Sequence, residues 1–307
     1  MRPVLNLDQT AVFLTVLDTG SFSAAARKLN RAQSAVTYAI QELEADLRVQ
    51  LFDRSGYRPA LSEAGAALLP KAKRLVHEAR TLQAQADGIA AGLEPALSLV
   101  IDAMAPIEPL TVALGAFKER FPSVATRVYV ESLGAAADML VDGTADVGLV
   151  LALFAPLEGL EREAAGRVHL VAVSAPSHPL AELQALRDAP IERQEAEEHL
   201  QLVLTDRSPR TRGADHGIIT SNTWRLADLG AKHAMLRAGL GWGSMPRHMV
   251  AEDLARGRLS ELRLKHWEGT GRMPHLPIIV AHALGASLGP AGRWLFDTLK
   301  GRDPAEA

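Results

Sequence analysis

Between positions 31 and 41 the chain carries Arg31, Gln33, Ser34, Thr37, Tyr38 and Gln41. Read as a helix, these side chains share an outer face. Guanidinium, amide and hydroxyl groups there reach phosphate oxygens and base edges in a DNA major groove. The chemistry they offer is recognition, with hydrogen bonds made and no covalent bond broken. Other chemistries lack their groups. The chain has no cysteine, which excludes disulfides, thiolate zinc ligands, a thiol nucleophile and thiol redox switching. Nine of the ten histidines lie from His169 onward, without the i, i+4 spacing or carboxylate escort of a metal site, so neither metal nor cofactor is expected.

The elements that must hold these residues follow from spacing. Asn6 with Gln9 suggests the capped start of a helix, with Phe13, Val16 and Leu17 on its apolar face and Gly20 at its end. Ser21 or Ser23 is placed to cap a second helix, Ala24–Leu29. A third runs from Gln33 to Leu47, with Val36, Ile40, Leu43 and Leu47 at helical spacing. Ala26 is small where two helices cross, Leu29 and Val36 fill the gap, and Asn30 tolerates the positive φ of a tight turn. This is helix-turn-helix geometry. Val49–Arg54 and Tyr57–Leu61 then read as a hairpin around Ser55-Gly56. Charge alone does not establish DNA binding: residues 1–92 carry net +2 and the rest net −5, a modest asymmetry.

From Leu61 a heptad appears. Leu61, Leu68, Leu75, Leu82 and Ile89 form one rail, and Ala72, Ala79, Ala86 and Leu93 the other. A helix from Ser62 to Ile89 with a small-residue rail predicts dimerisation; the alternative is a helix lying on its own domain. Pro70 is expected to kink it or split off a leading segment.

After Gly92 strands and helices alternate. Leu97–Met104, Ala125–Val130, Val147–Leu153, Val168–Ser174, Leu200–Thr205, Ile218–Ser221 and Pro277–Ala283 read as strands. Pro106–Phe121, Ala135–Val141, Trp224–Ala238, Pro246–Ala255 and Gly289–Lys300 read as helices, and Gly239–Gly243 as a tight turn. That alternation predicts a mostly parallel sheet covered on both faces. Gly166 and Gly269-Thr270-Gly271 mark two crossings that divide this half into lobes. The N-terminus carries Asp8 before any apolar run of signal-peptide length, and no run of about 18 apolar residues follows, so a soluble cytoplasmic protein without membrane contact is expected.

The stretches SFSAAARKLN, AQSAVTYAIQELEADL and VQLFDRSGYRPALSEAG, with the Leu/Ala helix after them, resemble the N-terminal domain of LysR-type transcriptional regulators. The pattern is Leu43-Glu44, Leu47, Leu51-Phe52, Arg54, Leu61 and Gly65. The resemblance covers the whole chain. It implies an α/β multidomain protein: a winged helix-turn-helix DNA-binding domain at 1–61, a linker and dimerisation helix at 62–92, and a two-lobed effector-binding domain of the periplasmic-binding-protein type at 93–307. Lobe I is 93–166 with 270–301, and lobe II is 167–269. Three positions depart from the family pattern. Ala32 stands where a capping Ser or Thr is common. Thr37-Tyr38 replaces a common Ser-Arg pair, so a cationic contact becomes aromatic. Arg48 replaces a common Gly after Leu47.

The resemblance also assigns roles. Arg54 and Arg58 flank Gly56 on a wing, where Arg enters a narrow minor groove or holds phosphate. Arg31, Gln33, Ser34, Thr37 and Tyr38 face the major groove. A ligand cleft lies between the lobes, beyond the carboxyl ends of the strands. Those ends are Asp102-Ala103-Met104, Glu131-Ser132-Leu133, Leu151-Ala152-Leu153 and Thr205-Asp206-Arg207-Ser208. Asp102, Ala103, Met104, Ser132, Thr205 and Arg207 are therefore effector candidates. Thr223, at the start of the expected Trp224–Ala238 helix, joins them as part of an anion-binding helix N-terminus. Arg207, Arg210 and Arg225 would offset Asp102 and Asp206. A small polar aromatic or hydroxy acid suits such a cleft.

The function expected is a ligand-responsive, non-enzymatic regulator. It binds an imperfect palindrome in double-stranded promoter DNA as a homodimer or homotetramer and contacts RNA polymerase. Two competitors stand beside it. An enzyme or transport-type binding protein with a helical N-terminal domain needs a nucleophile, phosphate loop or metal ligands, and no G-x-x-x-x-G-K-[ST] or H-E-x-x-H string is present. A sequence-neutral architectural DNA protein sits poorly with the acidic C-terminal half.

Overall fold

The computed structural model describes residues 5–53, 59–152, 157–205, 208–211, 217–267 and 273–301. The chain divides into two compact units, Met1–Gly88 and Ile89–Ala307.

The first unit opens with α1 (Leu7–Thr19), α2 (Phe22–Leu29) and α3 (Gln33–Leu47). The Asn6 side chain accepts from the Asp8 N–H at 2.9 Å and Gly20 ends α1 at φ +70°, while Ser21 caps α2 through the Ala24 N–H at 3.0 Å. Gln9 does not complete the expected pair: its Oε1 is buried without a partner instead of reaching back to Asn6. Asn30 takes the left-handed conformation at φ +53°, and Ala32 leaves the start of α3 without a side-chain cap. Val12, Phe13, Val16, Ala26, Val36, Ile40, Leu43, Leu51 and Phe52 form the core. Glu44 is buried there. Its Oε1 accepts from the backbone of Leu51 at 2.7 Å and Phe52 at 3.2 Å, tying α3 to the strand that follows.

That strand is shorter than the hairpin reading. β1 (Phe52–Asp53) pairs antiparallel with β2 (Ala60–Leu61) over two residues each. Val49 is drawn into the end of α3 instead, its N–H donating to Glu44 O, after Arg48 turns left-handed at φ +59°. Arg54 and Arg58 lie outside the described residues. α4 (Glu63–Ala90) runs as one helix through Pro70, so the leading segment is not split off. Ser62 caps it by accepting from the Gly65 N–H at 2.9 Å. Gly65 passes so close to Leu51 that an added Cβ would lie 2.1 Å from the Leu51 carbonyl oxygen. Leu68, Leu69 and Ala72 pack on the N-terminal core, while Leu75, Leu82 and Ile89 are 41%, 69% and 57% exposed. The early heptads thus lie on their own domain, and the later ones turn their leucine rail outward.

The second unit contains β3 (Ala96–Asp102), α5 (Ile107–Arg120), β4 (Ala125–Glu131), α6 (Gly134–Val141), β5 (Val147–Leu151), β6 (Leu160–Ser174), α7 (Pro179–Arg187), α8 (Arg193–Glu197), β7 (Gln201–Leu204), β8 (Thr223–Leu226), α9 (Leu229–Arg237), β9 (Trp242–Pro246), α10 (Arg247–Ala255), β10 (Ser260–Leu262), β11 (His275–Ala283) and α11 (Pro290–Leu299). Strand order is β4-β3-β5-β11-β6-β9-β7-β8, with β10 beside β6. The sheet is mixed, not mostly parallel. β3 pairs parallel with β4 and β5, and β7 with β8 and β9, but β11 runs antiparallel to β5 and β6, and β6 antiparallel to β9 and β10. β6 joins the two halves: its first part lies beside β11, and its end beside β9 and β10. Gly166, at φ +141°, pairs with Ile278 where the β6–β11 register slips, so one expected crossing falls on a bulge. Gly269 and its neighbours lie outside the described residues.

Alternation along β3 shows why both faces are covered. Leu97, Leu99 and Ile101 join Leu110, Phe117 and Phe296 on one side, while Val100 meets Ala136, Ala137 and Leu140 of α6 on the other. Three expected elements of the second half also differ. Ile218–Ser221 is not a strand, because the Ile219 N–H is taken by the Gln201 side chain at 2.9 Å. Trp224–Ala238 is not one helix: Thr223–Leu226 adds to the sheet edge, and Asp228 then caps α9. Gly239–Gly243 is not simply a turn, since Trp242 and Gly243 begin β9. Cβ atoms at Gly241 and Gly243 would lie 2.6 and 2.5 Å from the carbonyl oxygens of Leu200 and Leu202, so these glycines serve close strand approach.

Candidate DNA-binding face and effector cleft

α3 divides cleanly. Val36, Ile40 and Leu43 are buried, while Gln33, Ser34, Tyr38 and Gln41 are exposed and Thr37 is half-buried. The Thr37 hydroxyl donates to Gln33 O at 3.0 Å, leaving its oxygen to accept. Tyr38 stands 62% exposed, with an aromatic ring and a phenolic hydroxyl at the helix surface. Arg31 is engaged. Its Nη1 and Nη2 donate to the two carboxylate oxygens of Asp8, both at 2.8 Å. Those hydrogen bonds hold the Asp8 carboxyl below its ordinary pKa. Both partners are solvent-exposed, where an ion pair contributes little to stability. Sequence reading missed this pair because the two residues are 23 apart and nothing in spacing links them.

The expected cleft residues divide differently. Asp102 is fully buried, and its Oδ1 accepts from the Met104 N–H and its Oδ2 from the Leu133 N–H, each at 2.8 Å. Its role is to brace the ends of β3 and β4. Leu133 needs that brace: it sits at φ +55°, ψ −124°, a strained conformation for a residue with a side chain. The Ala103 N–H donates to Glu131 O at 2.7 Å, Met104 and Ser132 are buried, and Thr205 is half-buried with its N–H donating to Leu226 O at 2.8 Å. Thr223 does not open a helix. It begins an edge strand, and the helix beyond already has Asp228 accepting from the Ala231 N–H, so no vacant helix N-terminus forms there. Arg207 lies outside the described residues.

The two sheet halves meet through other residues. Ser208 Oγ donates to Asp138 Oδ2 at 2.6 Å and Arg210 Nε donates to Asp138 Oδ1 at 2.5 Å. Asp138 lies on α6, beside β3 and β5, whereas Ser208 and Arg210 follow β7. The Arg210 side chain was legible as a cation near the cleft; Asp138, mid-helix in an apolar run, offered no signal.

Two buried titratable groups also escaped sequence reading. Lys232 on α9 is nearly inaccessible, its Nζ donating to Ser244 O at 2.7 Å, and burial pulls its pKa down to about 7. Its signal was a place on the apolar stripe Leu229, Lys232, Leu236. His178 caps α7 and is pulled down to about 4 by burial and by His199. Among the described residues no group of three or more His, Asp or Glu side chains is arranged to hold a metal, and no helix is long and apolar enough to cross a membrane. The chain carries one string of G-x-S-x-G spacing, Gly285-Ala286-Ser287-Leu288-Gly289. It forms the exposed turn between β11 and α11, and Ser287 has no hydrogen bond to a histidine, so it lacks the base of a nucleophile elbow.

Comparison with known proteins agrees with this geometry. Residues 7–66 match the family model described as "Bacterial regulatory helix-turn-helix protein, lysR family", and residues 90–304 match "LysR substrate binding domain". The HTH-type transcriptional regulator YeeY of Escherichia coli is 30% identical over 86% of this chain and 84% of its own length. The HTH-type transcriptional regulator AceR of Acinetobacter baumannii is 28% identical over 97% of both chains. An OxyR mutant of Corynebacterium glutamicum, in its H2O2-bound form, superposes with a TM-score of 0.52 at 22% identity, over 96% of this chain and 94% of that one, which shows a shared fold.

Proposed function

Because the chain belongs to the LysR family of transcriptional regulators, we propose that its two units divide DNA reading from effector sensing. The observation that carries this is the outward face of α3, where Gln33, Ser34, Thr37, Tyr38 and Gln41 stand over a buried Val36, Ile40 and Leu43. In this reading residues 1–61 bind double-stranded promoter DNA. Gln33, Ser34, Thr37 and Tyr38 read base edges, and Arg31, Arg54 and Arg58 hold phosphate or the minor groove. Residues 62–92 join copies into a homodimer or homotetramer through Leu75, Leu82 and Ile89, whose exposure supports it. Residues 93–307 hold a small-molecule effector between lobe I (93–166, 270–301) and lobe II (167–269), near Ser132 and Thr205. The protein works in the cytoplasm, contacts RNA polymerase and performs no catalysis. An effector moves the regulator only through differential affinity for two arrangements of the lobes.

The test is footprinting of the full-length protein on its own promoter region. Discrete protection of an imperfect palindrome, with half-sites about 34 Å apart, is expected. Uniform coating would favour a sequence-neutral DNA protein, and absence of binding would overturn the reading.

A further inference from the structure

We infer that Ser208 and Arg210 form a carboxylate-binding subsite of the effector cleft, and that Asp138 of the chain itself fills it when no ligand is bound. This rests on the proposed cleft between the lobes, and it adds the chemistry of the ligand and the identity of its internal competitor.

Among the described residues, Ser208 and Arg210 converge on one carboxylate. Ser208 Oγ accepts from the Arg210 N–H at 3.0 Å, which aims its own proton at Asp138 Oδ2 at 2.6 Å. Arg210 Nε donates to the other oxygen at 2.5 Å. A hydroxyl and a guanidinium, each donating to a separate oxygen, match the donor pattern by which proteins hold a free carboxylate. The loop is seated closely. A Cβ at Gly134, in the first turn of α6, would lie 2.8 Å from Ser208 Oγ, so a larger residue there would push the loop away. Leu133, the strained residue before it, is held by Asp102. Strain of this kind collects where a segment is poised between arrangements.

The occupant is displaceable. The Asp138 side chain keeps 31% of its exposure and that of Arg210 18%, so the pair sits at a rim that solvent reaches. From that rim an external carboxylate can reach Arg210 as the Asp138 side chain swings out. Displacing Asp138 breaks hydrogen bonds that join α6 of one sheet half to the loop of the other. An anionic ligand thereby loosens this junction as it binds, while a neutral analogue gains no such exchange. The competing Asp138 also lowers the apparent affinity by the fraction of subsites it occupies.

The experiment uses the full-length chain, the wild type beside Asp138→Asn and Asp138→Ala, with acetate as probe and acetamide as its neutral match, at constant ionic strength. Hydrogen exchange without probe comes first. Asp138→Asn is expected to speed exchange of the Arg210 amide and the first turn of α6 by about tenfold, with α9 and α10 unchanged. Acetate should then bind Asp138→Asn about tenfold more tightly than wild type, and acetamide should not distinguish them. Arg210→Met should abolish the acetate preference in either background. Unchanged exchange in both Asp138 variants, or acetate binding no better than acetamide, would overturn the inference. DNA affinity with and without acetate is measured separately: binding that leaves DNA affinity unaltered would keep the subsite and overturn the effector-sensing reading instead.

Discussion

The two units use their polar side chains in opposite ways. In the N-terminal unit, the side chains proposed to read DNA project from a helix whose other face is core, so recognition and folding would occupy different sides of α3. In the C-terminal unit, polar groups at turns and strand ends hold the chain itself. Asp102 braces two strand ends, and Glu94 accepts from the Ala291 and Gly292 N–H groups at 3.1 and 2.6 Å to cap α11. Gln201 donates to Gly217 O and accepts from Ile219. A helix surface separates binding from stability, whereas strand ends mix them. A variant on the outer face of α3 should therefore alter specificity alone, and one at a bracing residue such as Asp102 should alter the fold.

Asp102→Ala should show the largest effect. It leaves two backbone N–H groups without a buried carboxylate and removes the brace from Leu133, and is expected to cost about 3 kcal/mol or more. Denaturant unfolding followed by C-terminal tryptophan fluorescence checks this; all four tryptophans lie beyond residue 220. A change below 1 kcal/mol, by the same scale, would free Asp102 for a ligand and break the contrast.

Lys232 sharpens it through pH. Its amine titrates near 7 in the folded protein and near the ordinary 10.5 when unfolded. Between those values the unfolded chain binds the extra proton, so stability rises with pH, by about 2 kcal/mol from about pH 7 to about pH 9. Below about pH 7 both states are protonated and the penalty for burying the charge stays constant. Lys232→Met should remove this slope and stabilise the protein at neutral pH and below. A slope that survives the substitution would assign the titration elsewhere.

Gln33→Ala is the counterpart on α3. It should weaken discrimination at one base position by about 1–3 kcal/mol and leave unfolding stability within about 0.5 kcal/mol. Competition binding with single-base operator variants separates the two effects. A uniform loss across sequences would make Gln33 a phosphate contact.

Arg48→Gly is the smallest. Arg48 ends α3 at φ +59°, where a side chain is strained and Gly is not, so a gain of about 0.5–1 kcal/mol is expected with operator affinity unchanged. Loss of affinity would give the exposed guanidinium a phosphate contact.

Legibility followed the same division. Gln33–Leu47 was read with its bounds, its buried face and its outer face, because a 3.6-residue period and an amphipathic stripe are local properties. The left-handed turn at Asn30 and the uncapped Ala32 were equally local. Trp224–Ala238 was misread because Thr223–Leu226 carries no period of its own. It becomes a strand by pairing with Gln201–Leu204, which lies 22 residues away. Gly241 and Gly243 read as turn residues until the carbonyls of Leu200 and Leu202 came within reach of their missing side chains.

The sequence by itself determined the helices of the DNA-binding unit, the helix that follows them and the alternation of strand and helix beyond. Each rests on contacts within a few residues or on a repeating apolar pattern. Tertiary structure alone decided the antiparallel course of β6 and β11, the pairing of Arg31 with Asp8 and the meeting of Asp138 with Ser208 and Arg210. Those contacts join residues distant in the chain through hydrogen bonds of one or two atoms, which leave no period and no composition to read.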